Sequence, residues 1–66
     1  MIGSLRGLLM DKDREGEVIV EVGGVGYRVS VNPGTFAELP EIGSDVFVHV
    51  HHHIREGDQQ FYGFAT

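Results

Sequence analysis

Cysteine is absent from this chain, and long apolar runs are absent as well. Without cysteine the chain has neither a disulfide framework nor a thiolate metal site. Residues 1–13 have no basic start, no continuous apolar segment and no small-residue cleavage site, so we predict no signal peptide. No apolar run approaches the roughly 20 residues that cross a bilayer. These absences predict a soluble, cytoplasmic protein without a membrane partner.

Positive charge is also scarce. Ten acidic residues stand against five basic ones, and the formal net charge is −5. A protein that binds nucleic acid unaided is normally basic, because neutralising phosphates supplies most of the affinity. The composition therefore argues against an autonomous DNA-binding protein.

The chain is short, and we interpret residues 1–66 as one domain. A domain of about 60 residues buries only about 60% of the surface that its unfolded chain exposes. Because its core is small, we expect oligomerisation, in which a partner subunit covers more apolar surface.

Alternating apolar residues predict five strands, at residues 1–10, 17–22, 25–31, 45–54 and 60–64. Gly3 and Gly7 predict bends or bulges in the first strand. Residues 11–16 form a polar turn in this interpretation. The pair Gly23 and Gly24 predicts a tight hairpin, because glycine accepts the positive φ that such turns require.

Residues 32–40 predict one short helix. Either Asn32 caps a helix that begins at Pro33, or Thr35 caps a shorter one, and Pro40 ends it. Five short strands with a helix between the third and fourth predict an all-β OB-fold, a partly open five-stranded barrel. An SH3-like barrel is the alternative, although it usually lacks a helix at this position.

The surface that binds oligonucleotides in many OB-folds has the wrong chemistry here. That surface consists of strands 2 and 3 with the loops between strands 1 and 2 and strands 4 and 5. Single-strand binders place aromatic and basic residues there. Here both loops are net negative, and the outward side chains include no aromatic: Glu17, Ile19, Glu21, Arg28 and Ser30. We therefore exclude an ordinary single-strand binder.

The connection between strands 4 and 5 is a charged tip, residues 55–58, with Glu56 and Asp58 as its acids. From the residues alone, these acids either solubilise a loop or serve a function. No nucleophile, metal motif or polar pocket accompanies them, so we predict no catalytic site. The chain is not expected to be an enzyme.

Three histidines alternate on the outer face of strand 4: His49, His51 and His53. They could offer imidazole ligands to Zn²⁺ or Ni²⁺. No carboxylate or cysteine occupies an obvious closing position, so we predict no metal site and no cofactor. We interpret this face as exposed or as part of an interface.

The candidate phosphate contacts are three arginines, Arg6, Arg28 and Arg55. The alternative is that each is a surface residue or part of an ion pair between subunits. Arg55 precedes Glu56 directly, and its role would then be to orient the acidic tip.

Three segments together resemble a known family. MIGSLRG at residues 1–7, VEVGGVGYRV at residues 20–29 and IREGDQQFYGF at residues 54–64 resemble the N-terminal domain of RuvA. The resemblance implies an OB barrel in a homotetramer that recognises Holliday junctions in DNA recombination and repair. It also implies cooperation with the RuvB motor in branch migration.

The resemblance further implies that Glu56 and Asp58 form an acidic pin, four of which face the centre of the junction. The family usually has the two acids adjacent, whereas Gly57 separates them here, so Glu56 is the safer assignment. In the family, helix-hairpin-helix motifs of a second domain make most phosphate contacts, and a third domain binds the motor. We expect both to lie outside this chain. A free-standing OB or SH3-like protein-interaction barrel that binds no DNA is the alternative function.

Overall fold

The computed structural model describes residues 1–55 and 57–64, and for Arg55 it describes the backbone alone. The elements are, in order, β1 (Ser4–Lys12), β2 (Glu17–Val22), β3 (Val25–Val31), α1 (Pro33–Glu38), β4 (Asp45–Arg55) and β5 (Asp58–Phe64).

The five strands form a closed barrel in the order β1-β2-β3-β5-β4, and pairing of β4 with β1 completes the circle. All neighbours are antiparallel except β3 and β5, which pair in parallel over three residues of each strand. This topology, with α1 between β3 and β4, confirms the predicted all-β OB-fold. The barrel is closed, whereas a partly open one was predicted, because the short parallel pairing links β3 to β5.

The core is a single aliphatic cluster inside the barrel. Its members alternate along the strands with outward residues, as the period of two in a strand requires. The buried side chains are Leu5, Leu9, Val18, Val20, Val29, Val46, Val48 and Val50. The predicted inner face of β3 does not extend to Val25, which is 53% exposed because it lies at the hairpin end beyond the core.

β1 pairs with two different strands of the barrel. Its first part pairs with β4 and its last part pairs with β2, and one register shift lies between Leu9 and Asp11. Of the predicted bends or bulges, a bulge at Gly7 is therefore wrong, because the register from Ser4 to Leu8 is regular. Gly7 has another role, because a Cβ there would collide with the backbone carbonyl oxygen of Glu21.

The predicted ends of three strands also need correction, with β1 beginning at Ser4 and β4 reaching Arg55. Asp11 and Lys12 continue β1, so the first turn is shorter than residues 11–16. That turn is closed by the Gly16 amide, which donates to the Asp13 carbonyl oxygen at 2.9 Å. Likewise β5 begins at Asp58 and not at Gln60. At each extended end, polar residues continue the strand because a neighbouring strand supplies their backbone partners.

α1 begins as the first of the two sequence alternatives predicts. The Asn32 side chain accepts a hydrogen bond from the Thr35 amide at 2.8 Å, and Pro33 occupies the first helical position. The helix ends before Leu39, which is extended, as a residue before proline prefers. No helix in the described part of the chain is long and apolar enough to cross a membrane.

Candidate functional site

The end of the β4–β5 hairpin contains the candidate acidic residues. Arg55 and Asp58 are opposite one another at the ends of the two strands. Gly57 has a φ of 76°, in the left-handed region that glycine adopts without strain. The glycine that separates the two acids in the sequence thus has a conformational role in the turn. Glu56, the safer assignment from the sequence, lies outside the described residues.

Asp58 belongs to a row of polar side chains on the outer face of β5. The Tyr62 hydroxyl donates to Gln60 Oε1, and the Gln60 amide donates to Asp58 Oδ2 at 3.4 Å. Since residues 58, 60 and 62 alternate on one strand face, this row connects the hairpin end to the body of the barrel. Sequence reasoning missed it, although the alternation of Asp58, Gln60 and Tyr62 was the available signal.

The three alternating histidines do lie on the outer face of β4, opposite the buried valines of the same strand. The His51 and His53 ring centres are 6.1 Å apart, and the rings are tilted by 32°. His49 instead meets Phe47 edge-on at 5.1 Å. Among the described residues no group of three or more histidine, cysteine or carboxylate side chains is placed to hold a metal ion.

His52 points the other way and was missed by the sequence reasoning. Its Nδ1 accepts the backbone N–H of Ile2 at 3.3 Å, and its Nε2 lies 3.0 Å from Gln59 Oε1. Because Nδ1 is an acceptor, Nε2 carries the hydrogen and donates to Gln59. The ring also packs on Phe61 with centres 4.5 Å apart. The signal was alternation, since His52 continues the inner face of Val46, Val48 and Val50.

Of the candidate arginines, Arg6 lies far from the hairpin end and Arg28 lies near it. The Arg6 guanidinium carbon lies 5.5 Å from the centre of the Phe47 ring, to which Arg6 is also opposite in register. Eight residues along β4 separate Phe47 from Arg55, a distance of roughly 26 Å in a strand. Arg28 is closer to the hairpin end, because it lines a polar groove of about 230 Å³ together with Asp58.

The outward face of β2 and β3 consists of the side chains that the sequence predicts there. Of its outward side chains, Arg28 is exposed while Glu17, Ile19, Glu21 and Ser30 are half-buried. The aromatic residue of β3, Tyr27, packs edge-on against Phe61 with ring centres 5.8 Å apart. Aromatic rings on the outer surface lie instead on β4 and β5, at Phe47 and Phe64.

The outer surface of β1, β4 and β5 is the more apolar one. Leu8, Phe47 and Phe64 are each 39–46% exposed. Beside Phe64, an apolar groove of about 390 Å³ is lined by Val31, His51 and Tyr62 among others. Exposed apolar side chains are thus concentrated on this outer surface of the barrel.

Known proteins resemble the whole of this chain. Residues 1–63 match the family described as the RuvA N terminal domain. The chain is 48% identical over 64 residues to the Holliday junction branch migration complex subunit RuvA of Chlorobaculum parvum, covering 97% of this chain and 31% of that protein. It is 46% identical over 66 residues to the subunit of the same name from Aliivibrio fischeri, and 47% identical to that from Shewanella loihica.

The chain spans about a third of the length of these relatives. The match is therefore to one domain of a longer protein, and that domain has the barrel described above. With identity near one half across nearly every residue, this chain belongs to the family of RuvA N-terminal domains.

Proposed function

We propose that this chain is a non-catalytic domain that faces a Holliday junction and presents an acidic pin at its centre. The pin consists of Glu56 and Asp58. The observation that carries the proposal is the position of Asp58, which is exposed at the end of the hairpin formed by the longest strand, β4. The names of the relatives, which are subunits of a branch migration complex, support this choice.

The proposed mechanism is electrostatic. A carboxylate at the crossover repels the phosphates of the exchanging strands and keeps them apart. At physiological ionic strength the Debye length is about 8 Å, so only charges that reach the centre of the junction act strongly. An ordinary duplex has no central opening, and its phosphates would meet the carboxylates directly. The same charges therefore favour junctions by penalising duplex.

The net charge of −5 is consistent with a domain that repels phosphates while other domains attract them. We propose that the attractive phosphate contacts come from helix-hairpin-helix motifs elsewhere in the full-length protein, and that a further domain binds the RuvB motor. This domain would then need few cations of its own, with Arg55, Arg28 and Arg6 as its candidates. We place this activity in the cytoplasm, in recombination and repair.

The test uses a full-length protein that contains this domain. The double variant E56Q/D58N is expected to bind duplex more tightly and to lose at least about fivefold of its preference for junctions. That factor corresponds to the roughly 1 kcal/mol with which two charges 4 Å apart interact in water. Binding competition between a four-way junction and duplex measures the preference, and a branch-migration assay measures the consequence.

The matched control is E38Q/E41Q, which removes the same charge from exposed residues in and after α1. It should leave the preference unchanged. Equal preference in the pin variant, the control and the unmodified protein would contradict the pin. Failure of the full-length protein to bind junctions at all would instead favour the alternative, a protein-interaction barrel.

We also propose that the domain assembles as a homotetramer through its apolar outer surface. Phe47 is 46% exposed on that surface and Ile42 is 57% exposed in the loop before β4. F47E is expected to weaken self-association at least about tenfold, as for a residue near the centre of an interface. I42E is the control and should have little effect. Sedimentation velocity measures both, and a full-length protein that is monomeric before any substitution would contradict the proposal.

A further inference from the structure

The outer face of β4 contains a pair of imidazoles suited to a metal ion. Four of the five residues from 49 to 53 are histidine. The strand separates them, because His52 turns inward to Ile2, Gln59 and Phe61 while the others face outward. The fold therefore separates His52 from the three histidines on the outer face.

The ring positions indicate which of the outward histidines could bind one metal ion. The His51 and His53 ring centres are 6.1 Å apart. Two imidazoles bound to one ion through nitrogens at about 2.0–2.1 Å have ring centres roughly 4.5–5.3 Å apart, so these two rings would have to approach by about 1 Å. A small side-chain rotation would thus bring both nitrogens to one ion. His49 is less suited, since its ring packs edge-on against Phe47.

The neighbouring strand adds polar oxygen atoms. Tyr62 is opposite His51, and Gln60 is opposite His53. The Gln60 amide donates to Asp58, so a carboxylate lies two residues further along the same face. The negative charge of Asp58 and of the chain as a whole favours a cation at this place.

Contrary to the prediction from the sequence, we propose that His51 and His53 form a two-imidazole site for a divalent transition-metal ion such as Zn²⁺, Ni²⁺ or Cu²⁺. Imidazole suits these ions, whereas Mg²⁺ and Ca²⁺ prefer oxygen ligands. Residues 1–55 and 57–64 contain no group of three or more ligating side chains, so the described part of the chain supplies these two imidazoles as the protein ligands. The site is therefore exchangeable, and it does not depend on the proposed function at DNA junctions.

The test is a titration of this chain with ZnCl₂, followed by the imidazole nitrogen resonances in NMR and by calorimetry. Saturable shifts are expected for His51 and His53, with reversal by EDTA and no response to MgCl₂. H51Q and H53Q should each lose at least about tenfold in Zn²⁺ affinity, because each removes the advantage of a second tethered ligand.

H49Q is the matched control, since it removes an exposed imidazole from the same face of the same strand. It should keep the affinity within about twofold, well inside the loss expected when a tethered ligand is removed. H52Q provides a second comparison, because His52 faces inward in the folded barrel. If Zn²⁺ bound an unfolded segment instead, all four histidines would contribute alike to the affinity. Equal losses in all four variants, or no saturable response in the unmodified chain, would overturn the assignment.

Discussion

The two hairpins β2–β3 and β4–β5 turn in comparable ways but differ in chemistry. In the first, Val22 is opposite Val25, and the connecting Gly23 and Gly24 have φ values of 58° and 88°. Positive φ at both positions is the pattern of a type I′ turn. In the second, Arg55 is opposite Asp58, and Gly57 has a φ of 76°. Each hairpin therefore has a positive-φ glycine directly before the returning strand.

The difference lies in the flanking side chains. Valine borders one turn, and opposite charges border the other. Glycine thus determines how the chain reverses, whereas the flanking residues determine what the reversal presents to its surroundings. Both hairpins contribute three valines to the core, since Val46, Val48 and Val50 of β4 are buried as well, but β5 adds a polar outer row that ends at Asp58. A similar turn in two places does not imply a similar role.

Within the two hairpins, a large effect on stability is expected where they meet. A Cβ at Gly63 of β5 would lie 2.6 Å from Val29 Cγ1 and 3.2 Å from Val31 Cγ1 of β3. Since Val29 is buried and β-branched, it has little freedom to move away. Gly63→Ala is expected to lower the free energy of unfolding by about 1–3 kcal/mol, the usual cost of overpacking. Urea denaturation measures it.

Gly3→Ala is the control for this substitution, because nothing lies within 4 Å of a Cβ at Gly3. It should change the free energy of unfolding by no more than about 0.5 kcal/mol. If both variants were equally stable, the two hairpins would be less tightly joined than the parallel pairing of β3 and β5 indicates.

Local patterns predicted much of this fold. Alternation placed Val46, Val48 and Val50 inside, and the Asn32-Pro33 pair marked the start of α1, because both signals depend on nearby residues. The position of the bulge between Leu9 and Asp11 was not predictable in this way. It depends on how β1 divides its pairing between β2 and β4, which no local pattern encodes.

The sequence predicted the candidate site to about the same extent as the fold. The charge of Asp58 and the outward direction of His51 follow from the sequence itself. The pairing of Asp58 with Arg55 does not, since it depends on the register that the turn imposes. The role of Gly7 was likewise hidden, because only the folded barrel brings the Glu21 carbonyl beside it.

A smaller effect tests whether the two turns are equivalent. Alanine in the left-handed region costs about 1–2 kcal/mol, and part of this is offset because alanine restricts the unfolded chain. Gly24→Ala and Gly57→Ala are therefore each expected to lower the free energy of unfolding by about 1 kcal/mol. Nothing lies within 4 Å of a Cβ at either position, so backbone conformation alone is responsible.

Asparagine tolerates the left-handed region better than alanine does, so Gly24→Asn and Gly57→Asn should each recover part of that loss. Denaturation of all four variants under one set of conditions gives the comparison. Matching losses at both sites mean that glycine is required at each of them for backbone conformation. A loss at Gly24 with none at Gly57 would mean that the second hairpin reverses by another geometry, and Asp58 would no longer be fixed opposite Arg55.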